Sequence, residues 1–95
     1  MTTQEVFEIV KHDLGELNPS PGRTNYLMTI MSAGINLMGD EGVTFDLENL
    51  DSEDCELIVM YTHYLVTKRD TDGGMPRMLR WALNNRILKE KANEV

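Results

Sequence analysis

The chain has 95 residues, 41% hydrophobic and 26% charged, which suits one globular domain with a modest core and excludes full disorder. Its net charge of −7 and pI near 4.6 make it repel a phosphate backbone on average, so it does not read as a free-standing nucleic-acid binder. A single cysteine, Cys55, excludes an internal disulfide and a zinc framework, and no apolar run approaches a membrane span.

The first predicted helix covers about 3–13. Thr2 or Thr3 can cap it, Glu5 sits in its first turn, and Val6, Phe7, Val10 and Leu14 form one apolar stripe. Gly15 suits a C-terminal cap, and Asn18-Pro19-Ser20-Pro21 makes a stiff loop. The second helix is expected over 21–38, with Ser20 as N-cap and Pro21 in the first helical position. Tyr26, Leu27, Ile30, Met31, Gly34, Leu37 and Met38 follow its period. A glycine at position 34 costs about 1 kcal/mol relative to alanine, which points to close approach of another helix.

Val43-Thr44-Phe45-Asp46-Leu47 alternates but has no second strand to pair with. It reads as an extended connector that tucks Val43, Phe45 and Leu47 against a bundle. The third helix, about 52–69, starts in acids and carries Leu57, Ile58, Val59, Met60, Tyr61, Tyr64, Leu65 and Val66 on more than one face. Such a helix is buried on several sides, by its own chain or by a neighbouring subunit. Residues 70–74 form a polar break. The fourth helix, about 76–92, has Met78, Leu79, Ala82, Leu83 and Ile87 as its core-facing side, while Arg77, Arg80, Asn84 and Lys91 share another. The fold class expected is therefore all-α, a single domain over 1–95 built as a small bundle of about four helices with one extended connector.

Charge is divided between the two ends. Residues 1–66 hold two bases, Lys11 and Arg23, against twelve acids, a balance of −10; residues 67–95 hold seven bases against four acids, a balance of +3. The asymmetry fits a chain that docks differently at its two poles, or helix-dipole matching alone.

Catalytic constellations are scarce. His12 and His63 lie on separate helices outside any metal-ligand spacing, and His63 within the apolar helix reads as a core or interface residue. Cys55 near a helix start invites a lowered pKa, but with no His-plus-acid partner pattern it reads as a buried structural thiol. The acid pairs Glu5/Glu8 and Glu53/Glu56 fall at helix starts, where the dipole alone favours them. Gly73-Gly74 lacks the lysine and spacing of a phosphate loop. No enzyme, cofactor or metal is expected. The one patch with functional content is the run Arg77-Met78-Leu79-Arg80-Trp81, because Arg and Trp are enriched at interface hot spots; the competing reading is an amphipathic helix with solvated bases.

Over about 6–91 the residues resemble the head–tail connector (adaptor) proteins of long-tailed bacteriophages, also called head-completion or DNA-packaging proteins. The resemblance rests on Val10-Lys11-His12-Asp13-Leu14-Gly15, on Arg23 followed by Tyr26-Leu27 and Ala33-Gly34, and on Gly42-Val43-Thr44-Phe45-Asp46-Leu47. It continues through Asp54, the run Leu57 to Tyr61, Tyr64-Leu65 and Lys68-Arg69. Its most specific part is Met75-Pro76-Arg77-Met78-Leu79-Arg80-Trp81-Ala82-Leu83-Asn84-Asn85-Arg86, similar to a proline-initiated last helix ending in Asn–x–Arg.

The resemblance implies a non-enzymatic viral structural protein of the virion neck, present in the host cytoplasm during assembly. Copies would form a homo-oligomeric ring, typically dodecameric, beneath the portal protein, extending the DNA channel and meeting the next neck or tail-completion protein. DNA would pass without sequence-specific binding, its repulsion from the acidic remainder of the chain helping it slide. The portal-docking residues so implied are Arg77, Arg80, Trp81, Asn84, Asn85, Arg86, Lys89 and Lys91. Tyr61, Tyr64 and Leu65 of the third helix would supply subunit contact in a heterologous ring. The alternative is a small helical regulator of the helix-turn-helix repressor or antitoxin kind, its basic last helix entering a DNA groove.

Overall fold

Four α-helices form close to where the periodicity places them: α1 (Thr3–Asp13), α2 (Pro21–Asp40), α3 (Ser52–Thr67) and α4 (Arg77–Asn93). The structure, a computed structural model, describes residues 1–68 and 74–93, and no strand occurs among them. Arg69, most of the polar break at 70–74 and the tail residues 94–95 lie outside the described residues.

Local chemistry sets the helix ends. Thr2 and Glu5 form a reciprocal capping box at the start of α1, with the Thr2 N–H donating to Glu5 Oε1 at 3.0 Å. Ser20 Oγ accepts the Arg23 N–H, and Pro21 fills the first turn of α2. Asp51 Oδ1 accepts the Asp54 N–H at 2.8 Å to start α3.

Two glycines close helices by the same device. Gly15, at φ +74°, follows the α1 cap residue; its N–H donates to the His12 carbonyl, and the Glu16 N–H reaches back to Lys11. Gly42, at φ +109°, repeats the pattern at the end of α2, with bonds from Gly42 to Gly39 and from Val43 to Met38. Both are Schellman closures that need a residue without Cβ in the left-handed region. This explains why α2 overruns its expected end at 38: Gly39 stays helical, and Gly42 is the stop.

Helix α3 is the hub, with α1, α2 and α4 each packed against it. Val6, Phe7 and Val10 of α1 and Leu27, Met31 and Met38 of α2 meet Leu57, Ile58 and Tyr61 of α3 in one core, which Leu79 and Leu83 of α4 complete. Each such side chain contributes about 1.5–3 kcal/mol by leaving water. The close approach anticipated at Gly34 is present. A Cβ built there would lie 3.2 Å from Tyr61 Cδ1 and 3.3 Å from Leu65 Cδ1. Gly34→Leu is therefore expected to wedge α2 from α3 and cost about 1–3 kcal/mol, read as a lowered urea midpoint; an unchanged midpoint would contradict this packing.

The connector runs back beside the first residues. Leu50 and Met1 exchange backbone hydrogen bonds of 2.7 and 2.8 Å, and Val43 and Leu50 are buried. Leu47 was expected to tuck in but stands 44% exposed, because the chain there turns to bring Leu50 inward instead. Leu37 is likewise exposed, since the buried stripe of α2 runs Leu27, Met31, Gly34, Met38 and leaves position 37 beside it. Met78 is the largest departure. Expected in the core, it is 78% exposed, because α4 is rolled so that Leu79, Leu83 and Arg86 face α3.

Candidate protein-interaction surface

Two faces of α4 have opposite roles. On the inner face, Arg86 is only 8% exposed. Its Nε donates to Asp54 Oδ1 at 2.7 Å, one terminal nitrogen to Glu90 Oε2 at 2.7 Å, and the other to the Thr44 carbonyl at 2.8 Å. The guanidinium also lies 5.8 Å from the centre of the Phe45 ring. Burial alone would lower its pKa, but the hydrogen bonds to Asp54 and Glu90 outweigh that and hold it above its ordinary value. One side chain thus ties α4 to the start of α3 and to the connector. The donors of Arg86, a residue the resemblance assigned to portal docking, are engaged inside the fold.

On the outer face, Arg77, Trp81, Asn84, Leu88 and Lys91 recur at spacings of four and three and are all exposed. Trp81 is 71% and Leu88 62% exposed, a level at which large apolar groups gain almost nothing from their own fold. Spacings of four and three are the pattern by which one helix lays a seam along another. Arg77 and Lys91 make no ion pair among the described residues, so their charge is free to steer a partner. Leu88 was absent from the sequence-based set. It lies seven residues beyond Trp81, two helical turns along the same face.

The remaining sequence-predicted residues divide between these roles. Arg80 is exposed yet pairs with Glu41 at 2.9 Å, bracing α4 against the end of α2. Lys89 is exposed and 3.5 Å from Glu53. Both are surface pairs, worth little to stability and cheap to exchange for a partner's contacts. Asn85 lies on the flank next to α3. Of the residues assigned to subunit contact, Tyr61 is buried against α2, whereas Tyr64 and Leu65 are half-buried.

A groove opens between α1 and α4 with α3 as its floor. Three depressions of about 490, 360 and 290 Å³ meet at Met60; Ile9 and Val59 border one side, Met78 and Trp81 the other. Its acids are Glu53 and Glu56, and Asp13 stands at one end, paired with His63 Nδ1 at 2.6 Å. Of the two readings of His63, core or interface, the core one fails: it lies at the surface, because α3 turns Tyr61 and Thr62 inward and position 63 outward.

Cys55 is buried, its Sγ 3.6 Å from Met1 Sδ, and burial pushes the thiol pKa up, away from nucleophilic character. No group of three metal-ligating side chains occurs among the described residues, and none of their helices is long and apolar enough to cross a membrane. The sequence-predicted acid pairs are dispersed: Glu5 is spent on the capping box, Glu8 pairs with Lys11 at 2.9 Å, and Glu53 faces Lys89.

Acid should loosen the molecule in a defined direction. The hydrogen bond from Arg86 lowers the pKa of Glu90, that from Arg23 lowers Glu16, and the Thr2 N–H lowers Glu5. Carboxyls with depressed folded-state pKa contribute stability above their unfolded pKa and lose it as pH falls through the folded value. The urea midpoint should therefore hold near neutrality and decline below the ordinary carboxylate range. Glu90→Gln and Glu16→Gln should flatten that decline; a midpoint that rises on acidification would refute the assignment.

No family model, curated protein or solved structure matches this chain.

Proposed function

We propose that the chain is a structural subunit of a bacteriophage neck ring, docking on the portal and extending the DNA channel between head and tail. The observation that carries this reading is the outer stripe of α4, where Trp81 and Leu88 stand exposed between Arg77, Asn84 and Lys91. A fold that leaves its single tryptophan bare beside Arg77 and Lys91, which make no ion pair among the described residues, is suited to a protein partner. The motif resemblance implies that this stripe lies on the helix that meets the portal. The buried position of Arg86 refines the reading: it secures the docking helix to the body of the subunit, and contact is left to Arg77, Trp81, Asn84, Leu88 and Lys91.

The regulator reading needs two helices joined by a turn of about three or four residues. Residues 14–20 separate α1 from α2 and residues 41–51 separate α2 from α3, each gap longer than that turn. The acidic body would also oppose entry of α4 into a DNA groove.

The test is to mix the purified chain with the portal protein encoded in the same genome and to image the product by electron microscopy. A ring of added density beneath the portal is the expected result. Absence of co-assembly, together with a gene lying far from capsid and tail genes, would refute the proposal.

A further inference from the structure

A groove over α3 adjoins the α4 stripe, with Trp81 on the wall they share. Its geometry points to a particular occupant: a basic amphipathic helix of another protein. The inference goes beyond the neck-ring reading and does not depend on it.

The floor is the outward strip of α3, where Glu53, Glu56, Met60 and His63 succeed one another at three- and four-residue spacings. The walls are Ile9 of α1, 38% exposed, and Met78 of α4, 78% exposed. This trough between two helices, some ten residues long on α3, spans about 15 Å, the length of a helix of roughly three turns. Methionines on both floor and wall make an adaptable apolar lining of the kind that receives amphipathic helices. Helices α1 and α4 each pack on α3, and among the described residues none covers this strip.

Charge selects the occupant. Glu56 lines two of the three depressions and makes no hydrogen bond or ion pair among the described residues. Glu53 holds only the 3.5 Å contact to Lys89, and the chain as a whole carries −7. A helix with an apolar stripe and flanking Lys or Arg would bury Met60 and Met78 while supplying the cation that Glu56 lacks. An acidic helix of the same shape would meet like charge.

The experiment uses the full chain and two fluorescently labelled peptides of about three helical turns sharing one Leu/Met stripe. One carries Lys on its flanks, the other Glu, and binding is read by anisotropy. The Lys peptide should bind about tenfold or more tightly than its Glu twin. Met78→Asp should abolish its binding, and Glu56→Lys should reverse the preference, with circular dichroism showing both variants folded. Glu48→Lys makes the same change in net charge on the exposed connector and should leave the preference unchanged. Equal binding of the two peptides, or binding of neither, would overturn the proposal. So would a Glu48→Lys effect as large as that of Glu56→Lys. A wild-type chain that self-associates through this groove, becoming monomeric on Met78→Asp, would overturn it in favour of a second copy.

Discussion

Replacing Arg86 by alanine is expected to cost about 3–5 kcal/mol of stability. The substitution strands Asp54, itself 8% exposed, without its cation, and removes the donor to the Thr44 carbonyl. A chain of this length has about 5–14 kcal/mol of total stability, so the loss is a large share of it. Arg77→Ala and Lys91→Ala, both on the outer face, should change stability by less than about 0.5 kcal/mol. The apolar double variant Arg86→Met with Asp54→Leu should recover much of the loss, because it removes both buried charges together. Urea denaturation followed by circular dichroism separates these cases. An Arg86→Ala chain as stable as the parent would show that the buried pair has no structural role.

The second large effect concerns assembly without loss of fold. Trp81→Ala with Leu88→Asp removes the two apolar anchors of the outer stripe and introduces a charge where a partner would have to desolvate it. Hot-spot truncations cost about 2 kcal/mol or more each, so the pair should lower affinity for the portal by about a thousandfold or more. The melting temperature should stay within a few degrees of the parent, since neither side chain is buried. Sedimentation of the mixture checks the first outcome and a thermal melt the second. Undiminished co-sedimentation would remove this face of α4 from the docking surface.

Most of the fold was legible in the sequence because its determinants are local. Ser20-Pro21, Thr2 with Glu5, and Gly15 announce helix ends through chemistry confined to a few neighbouring residues. Gly34 announced a tight helix contact because nothing else explains a glycine inside an apolar stripe. The roles of α4 residues were less legible. Its polar and apolar positions interleave, so periodicity alone could not tell whether Met78 or Arg86 faced inward. The answer rests on Asp54, thirty-two residues earlier, and on the Thr44 carbonyl, partners that only the tertiary fold brings together. The sequence left His63 open between core and interface for a related reason: on a helix apolar over several faces, the direction of one imidazole depends on which neighbours cover which side.

The bareness of Trp81 also decides how the molecule can be watched. It is the only indole in the chain, and in the folded state water already surrounds most of it. Its emission should sit near that of free tryptophan and barely change as urea melts the bundle, so optical unfolding curves built on it would be nearly flat. A pronounced blue shift would then report one event, the burying of that ring beneath another macromolecule.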